Sequence, residues 1–224
     1  MPGPKDTNLE QQPKIAVDAA VFAIDQKELK VLMIKIAEGP YGGKWCLPGG
    51  LVGYNESLEQ AVKRILFQKT NISGLYLEQL YTFGDPDRDN RSRAISVAYF
   101  ALVNNIESFK IQTIPYYAEV KWTKVDEISE TAFDHKQIVK YALARLQAKL
   151  SYTNIAYTLL PNDFTLTELQ QIYEIILQKK LDKRNFRKKI MALGLVEQSE
   201  EKLTGKPFRP AQLFHFTQKK LVQF

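Results

Sequence analysis

After a polar opening over residues 1–13, read as a flexible N-terminus, the chain alternates short apolar runs with polar, Gly- or Pro-bearing breaks. IAVDAAVFAI (15–24) is rich in β-formers, and a DQKEL turn separates it from KVLMIKI (30–36), so the pattern predicts two strands. AEGPYGGK carries breakers, and WCLPGGLV then leads toward Asn55-Glu56-Ser57-Leu58-Glu59, a helix start signal. Beyond it, Leu58, Ala61, Val62, Ile65 and Leu66 make one stripe at helical spacing. LYLEQLYTFG, RAISVAYFALV and YAEVKWTKV read as three further strands, and a helix is expected over 136–150. Strands with one helix inside the series and one after it predict an α+β fold, a mixed-sheet sandwich with helices on the sheet, over residues 14–150.

The grammar changes after Pro161. LSYTNIAYTLLPND is read as a connector, with residues 151–160 as the linker. FTLTELQQIYEIILQKK places Leu166, Leu169, Ile172, Tyr173 and Ile176 on one face, with Thr165 or Thr167 as its cap. LDKRNFRKKIMALG repeats the pattern with Leu181, Phe186, Ile190 and Leu193, and Gly194 stands where a helix stops. Two short strands flank a Gly/Pro/Lys/Arg-rich turn in LVEQSEEKLTGKPFRPAQLFHFT. Two helices and a β-hairpin over 161–224 outline a small winged helix-turn-helix domain.

Composition narrows the classes. Hydrophobic residues at 45% suffice for packed cores and argue against global disorder. No apolar run approaches a membrane span, and the opening residues lack the layout of a signal peptide. The lone Cys46 permits no internal disulfide, so a cytoplasmic setting and no membrane partner are expected. Charge is segregated: residues 161–224 carry 12 Lys/Arg against 7 Asp/Glu, whereas residues 1–160 carry 19 against 18. A basic terminal module suits a polyanionic partner, although a solvated basic surface accounts for the same count.

Between residues 50 and 72, Gly50, Glu56, Arg64, Leu66 and Ile72 keep the intervals of a known signature. The segment, approached through Trp45-Cys46-Leu47-Pro48-Gly49, resembles the Nudix hydrolase box. In that family three glutamates follow the arginine and hold magnesium beside a pyrophosphate. Here those slots contain Ile65, Gln68 and Lys69. Ile65 has no donor atom, Gln68 is neutral, and Lys69 sets a positive charge where cations would bind; hard cations need oxygen ligands. The resemblance therefore implies the fold without its ordinary chemistry. No cofactor is expected, with magnesium relevant only if residual hydrolysis survives. Glu56 and Glu59 remain, and a residual carboxylate of this kind serves equally as a cap or as a partner of Arg64.

The loop FGDPDRDNRSR (83–93) combines turn residues with Arg88, Arg91 and Arg93, whose forks suit phosphate or carboxylate oxygens. It resembles FG-x-P-x-RDPR-x-R in the Nudix-related regulators of NAD metabolism, the NrtR family; Asn90 replaces the proline and Ser92 fills the variable slot. Members sense ADP-ribose or related compounds, and relatives sense a sugar. On this resemblance Arg88, Asp89, Arg91, Arg93 and Glu56 are the candidate ligand-binding residues. The plainer alternative is a charged loop neutralised by its own Asp85, Asp87 and Asp89.

KKLDKRNFRKK (179–189) has seven basic residues and one acid. With Leu181 and Phe186 facing inward, Lys183, Arg184, Arg187 and Lys188 occupy the outer face, as a major-groove helix requires. Asn185 is the candidate base-edge contact, and Lys206 and Arg209 in the wing turn are candidate backbone contacts. This module also resembles the C-terminal part of the same regulators. Of the two histidines, His135 and His215, each is expected to be structural. The reading that follows is a homodimeric transcription regulator, a repressor on double-stranded operator DNA, whose effector is ADP-ribose-like or a sugar. Two alternatives stand beside it: a Nudix hydrolase of ADP-ribose type with a non-standard metal site, and a ligand-binding module whose second domain contacts protein.

Overall fold

The computed structural model describes residues 12–104, 106, 117–203 and 211–224. Strand β1 (Lys14–Asp25) turns back antiparallel onto β2 (Glu28–Ile36). The turn places Gln26 and Lys27 at φ 50° and 64°, the paired left-handed geometry that matches strand twist. Short strands β3 (Trp45–Cys46) and β4 (Gly49–Leu51) flank Pro48 and pair with β2 and β1. Helix α1 (Leu58–Thr70) and strand β5 (Leu77–Phe83) precede β6 (Ala94–Val103). β6 lies parallel to β1 from Lys14↔Ala94 to Ala23↔Val103. β7 (Tyr117–Lys124) pairs with β2, and α2 (His135–Lys149) closes the unit. The sheet runs β3-β2-β1-β6-β5, with β4 and β7 attached to β1 and β2.

Alternation along β1 explains the layers. Ala20 and Phe22 face α2, packing with Phe100, Ile138, Ala142 and Leu146, while Val17, Ala19 and Val21 face α1, packing with Ala61, Val62, Ile65 and Leu66. Both faces of the sheet are therefore covered by helices, the sandwich expected from sequence. Ser57 caps α1 in a reciprocal box with Gln60. Asn71 ends the helix at φ 57°, in the slot where the Nudix signature has glycine; asparagine tolerates this backbone.

The second module contains α3 (Leu166–Leu177), α4 (Lys183–Ala192) and the hairpin β8 (Val196–Leu203) and β9 (Ala211–Phe216). Of the two threonines expected to cap α3, Thr165 does so, in a box with Glu168. Asp182 caps α4 by accepting from the Asn185 N–H, and Gly194 follows the helix at φ 61°.

Residues 151–160, expected as a linker, are largely packed. Ile155–Leu159 form a 3-10 turn, and Ile155, Ala156, Leu159 and Leu160 are buried in one cluster with α2 and α3. Their spacing already placed four apolar side chains on one side of a turn. The Asn154 side chain donates to the Gln218 and Lys220 carbonyls and accepts from the Val222 N–H, tying the final residues to this segment. One continuous core thus joins the modules, and helices α2 and α3 touch directly: Gln147 Nε2 donates to the Ile176 carbonyl at 2.9 Å. No helix among the described residues is long and apolar enough to cross a membrane.

Candidate functional site

The box from Gly50 to Ile72 folds as the end of β4, a loop and α1. The Arg64 guanidinium forks onto Glu56, with Nη2 to Oε1 at 2.5 Å and Nε to Oε2 at 2.8 Å. The Gly53 N–H also donates to Glu56 Oε1 at 2.6 Å. The Arg64 bond, then that amide, holds the Glu56 carboxyl well below the usual range, at about 2. Glu56, expected to contact ligand, accepts here from Arg64 and from the loop amide of Gly53. Gln68 accepts from Arg64 Nη1 at 3.1 Å.

The other two altered slots supply no carboxylate. The Ile65 side chain is buried, and a Cβ on Gly50 would lie 3.2 Å from its Cδ1. Lys69 Nζ donates to the Gly49 carbonyl and to the Tyr117 hydroxyl. Its ammonium also lies 4.5 Å from the Tyr117 ring centroid. Burial lowers its pKa, partly offset by the charge of Asp18. Among the described residues, no group of three or more His, Cys, Asp or Glu side chains can hold a metal.

Beside Lys69 lies a buried polar network that the sequence did not reveal. Asp18, on β1, accepts from Ser96 Oγ at 2.5 Å, faces Arg88 Nη2 at 3.4 Å and lies 3.3 Å from His135 Nε2. Gly49 permits this, because a Cβ there would fall 1.7 Å from Asp18 Oδ1. Arg88 also forks onto Asp134, at 3.0 and 2.7 Å. The Leu47 N–H donates to His135 Nδ1 at 2.8 Å, so the ring proton sits on Nε2, toward Asp18. Burial disfavours a charged ring; the Asp18 carboxylate reverses that and raises the imidazole pKa, while the Leu47 bond resists protonation of Nδ1. The hydrogen-bonding role expected of His135 fits this position.

The three loop arginines separate. Arg88, expected to hold an anionic ligand, has its side chain only 4% exposed and is spent on Asp134 and Asp18. Arg93 donates to the Gly84, Asp85 and Ala94 carbonyls, which fixes the loop. Arg91 remains half-exposed; Asp89 orients it through a forked pair at 2.9 and 2.8 Å. Its guanidinium lies 4.9 Å from the Phe133 ring and 5.5 Å from Tyr41, whose rings are 4.3 Å apart. Phe133 adopts φ 55°, a strained backbone for an aromatic residue that aims its ring into this group. Lys69, Tyr117, Arg91, Tyr41 and Phe133 thus bring cationic and aromatic groups to one side of the network. The aromatics come from two separate loops and the first residue of β7, and no local spacing pointed to them.

On α4, Lys183, Arg184, Arg187 and Lys188 are exposed, while Phe186 and Ile190 are buried. At 100° per residue these cations span one side of the helix, and Arg187 Nη2 reaches Thr167 Oγ1 at the start of α3 at 3.4 Å. Asn185, grouped with them from sequence, is also exposed and lies beside Lys188 at the edge of that side. With Lys189, Gln147, Leu150 and Tyr173 it lines a groove of about 350 Å³ between α2 and the α3–α4 pair. Lys206 and Arg209, the expected wing contacts, lie outside the described residues. His215, expected to be structural, is half-buried on β9.

Comparison with known proteins agrees with both halves. The family model for the Nudix domain matches residues 13–145, and that for the NrtR DNA-binding winged helix domain matches residues 156–216. The chain is similar to the ADPR responsive transcriptional repressor NtrR of Acinetobacter baylyi, 39% identical over 209 residues, or 91% of this chain and 82% of that protein. It is also similar to Shewanella oneidensis NrtR crystallised with a 27mer DNA, with a TM-score of 0.77 and 34% identity over 91% of this chain and 93% of that one. The Nudix domain of that protein in complex with ADP-ribose matches 64% of this chain and 94% of its own length, at 35% identity and a TM-score of 0.57. With a Nudix sandwich joined through a shared core to an NrtR-type winged helix, the chain belongs to the NrtR family of Nudix-related transcription regulators.

Proposed function

We propose that this protein is a transcriptional repressor that binds operator DNA through α4 and its wing and responds to ADP-ribose-class ligands through the Nudix domain.

The observation that carries this reading is the extent of the match: one alignment spanning both modules reaches a DNA-bound regulator across 91% of this chain. Lys183, Arg184, Arg187 and Lys188 face the DNA and supply phosphate and base contacts, with Lys206 and Arg209 of the wing turn completing the surface. Asn185 stands at the edge of that face. Two copies of the chain, each presenting one α4, read two half-sites as a homodimer.

For the effector, Arg91 and its holder Asp89 are the loop residues placed to meet a ligand, and the paired rings of Tyr41 and Phe133 suit a flat base. Arg88, Arg93 and Glu56 shape the site from behind. The Nudix domain does not hydrolyse its ligand and needs no metal, since Ile65, Gln68 and Lys69 stand where carboxylates would hold magnesium. Ligand weakens DNA binding only by its differential affinity for two arrangements of the modules. The core continuous from α2 through Ile155–Leu159 to α3 gives the two sites a packed mechanical link.

The test is a mobility-shift titration of the pure protein on promoter DNA with and without ADP-ribose. Retarded DNA released by micromolar ADP-ribose is the expected result. DNA binding indifferent to ADP-ribose overturns the effector assignment, and no retardation at low salt overturns the regulator.

A further inference from the structure

Lys69 occupies the last of the three altered carboxylate slots, and its position bears on how a diphosphate is held without metal. The ammonium is anchored on two neutral oxygens, the Gly49 carbonyl and the Tyr117 hydroxyl. Among the described residues it makes no ion pair, although it lies within the field of Asp18. Lys69 is half-buried, and a cation partly withdrawn from water and bonded only to neutral acceptors retains an unmet electrostatic demand. Arg91, half-exposed, sits on the same side of the site, close enough to Tyr117 for its charge to act on the phenol. Ile65, one turn earlier on α1, is packed against Gly50, so no carboxylate stands in that slot to neutralise Lys69.

We infer that the Lys69 ammonium, pinned by Gly49 and Tyr117, replaces the divalent cation of the Nudix hydrolases as the fixed positive charge that meets the ligand's diphosphate, making binding metal-independent. The inference rests on the ADP-ribose reading above. A single tethered charge differs from a magnesium ion in kind. It attracts the phosphate oxygens, yet it neither coordinates a water nor lowers that water's pKa, so it binds without activating a nucleophile. The substitution that removes hydrolysis is thus also the one that preserves affinity. Three glutamates with no metal would repel a diphosphate; a neutral trio would be indifferent; Lys69 attracts it. An anionic ligand would also supply the partner that burial denies this ammonium, which favours its charged form in the complex.

Calorimetric titration of the full-length protein with ADP-ribose tests this, run in EDTA and in millimolar magnesium. Wild type should bind with affinities within about twofold of each other in the two buffers. Lys69→Met keeps the aliphatic stem and removes the charge, and should weaken binding by about 10- to 100-fold, the range of a charge-assisted hydrogen bond. Lys69→Arg keeps the charge and should retain binding within about tenfold. Thermal melts of both variants verify that each is folded at the titration temperature. Binding that requires magnesium, equal losses in the Met and Arg variants, or full affinity in Lys69→Met would each overturn this inference and leave the ADP-ribose reading standing. Absence of any ADP-ribose binding by wild type in either buffer would overturn the ADP-ribose reading, and this inference with it.

Discussion

Replacing Arg88 by alanine separates a structural arginine from a ligand-binding one in the same loop. Its side chain is 4% exposed, forks onto Asp134 and reaches Asp18. Truncation leaves two carboxylates, 13% and 7% exposed, without their shared cation. Breaking a buried pair in this way costs about 3–5 kcal/mol, because the remaining charge keeps its desolvation penalty. For a chain of this size each kcal/mol moves the melting temperature by about 2–4 °C, so Arg88→Ala should melt about 6–20 °C below wild type. Arg91 is half-exposed, and its partner Asp89, 8% exposed, keeps the Arg91 backbone N–H after truncation, so Arg91→Ala strands one carboxylate rather than two and should melt between Arg88→Ala and wild type. The ligand effects should run the other way, with Arg91→Ala weakening ADP-ribose binding in a protein that remains folded. Scanning calorimetry and ligand titration on both variants decide the matter. Adding Asp134→Asn to Arg88→Ala should recover part of the lost stability, since one stranded charge is removed. A wild-type melting temperature for Arg88→Ala, combined with lost ADP-ribose affinity, would refute the assignment of Arg88 to the framework.

Three further outcomes are expected. Operator affinity should fall steeply with salt, with a log–log slope of about −0.9 per phosphate neutralised, and Arg184→Ala or Arg187→Ala should each cost about 1–3 kcal/mol where the side chain forks onto a guanine; gel-shift titrations at several salt concentrations measure both. Pure protein should release no AMP from ADP-ribose in magnesium by chromatographic assay, and restoring Ile65→Glu, Gln68→Glu and Lys69→Glu together should destabilise the domain, because position 65 is buried and a carboxylate there loses its hydration. Acid should destabilise the Nudix domain through Asp18: burial would raise its pKa, but His135, Ser96 and Arg88 bring it from 3.8 down to about 2. A depressed folded-state pKa contributes stability above pH 4 that is lost as pH falls through about 2, on the order of 2 kcal/mol between pH 5 and pH 2. Urea midpoints across that range should fall less steeply for Asp18→Asn than for wild type.

Local pattern carried much of this protein. Helical stripes in residues 58–66 and 166–176 and the β-rich runs at 15–24 and 94–103 specify elements whose apolar faces can be satisfied only by packing on one another. The three substituted glutamate slots were likewise visible in the sequence, because a signature with fixed intervals reports each deviation residue by residue. So was the cationic side of α4, since Phe186 and Ile190 fix which way the helix docks. Tertiary structure decided what spacing cannot encode. Arg88, Arg91 and Arg93 lie within six residues and look equivalent, yet one is spent on Asp134, one on carbonyls, and one remains half-exposed. The difference arises because Asp18 and Asp134, distant in the chain, converge where β1 meets the start of α2. Residues 151–160 read as a linker until their apolar side chains met the surfaces of α2 and α3. Asn185 lies at the edge of the cationic side of α4, on the flank that lines the groove beside α2. Charge, period and motif are local and legible along the chain; the partner that consumes a donor is a matter of three-dimensional convergence.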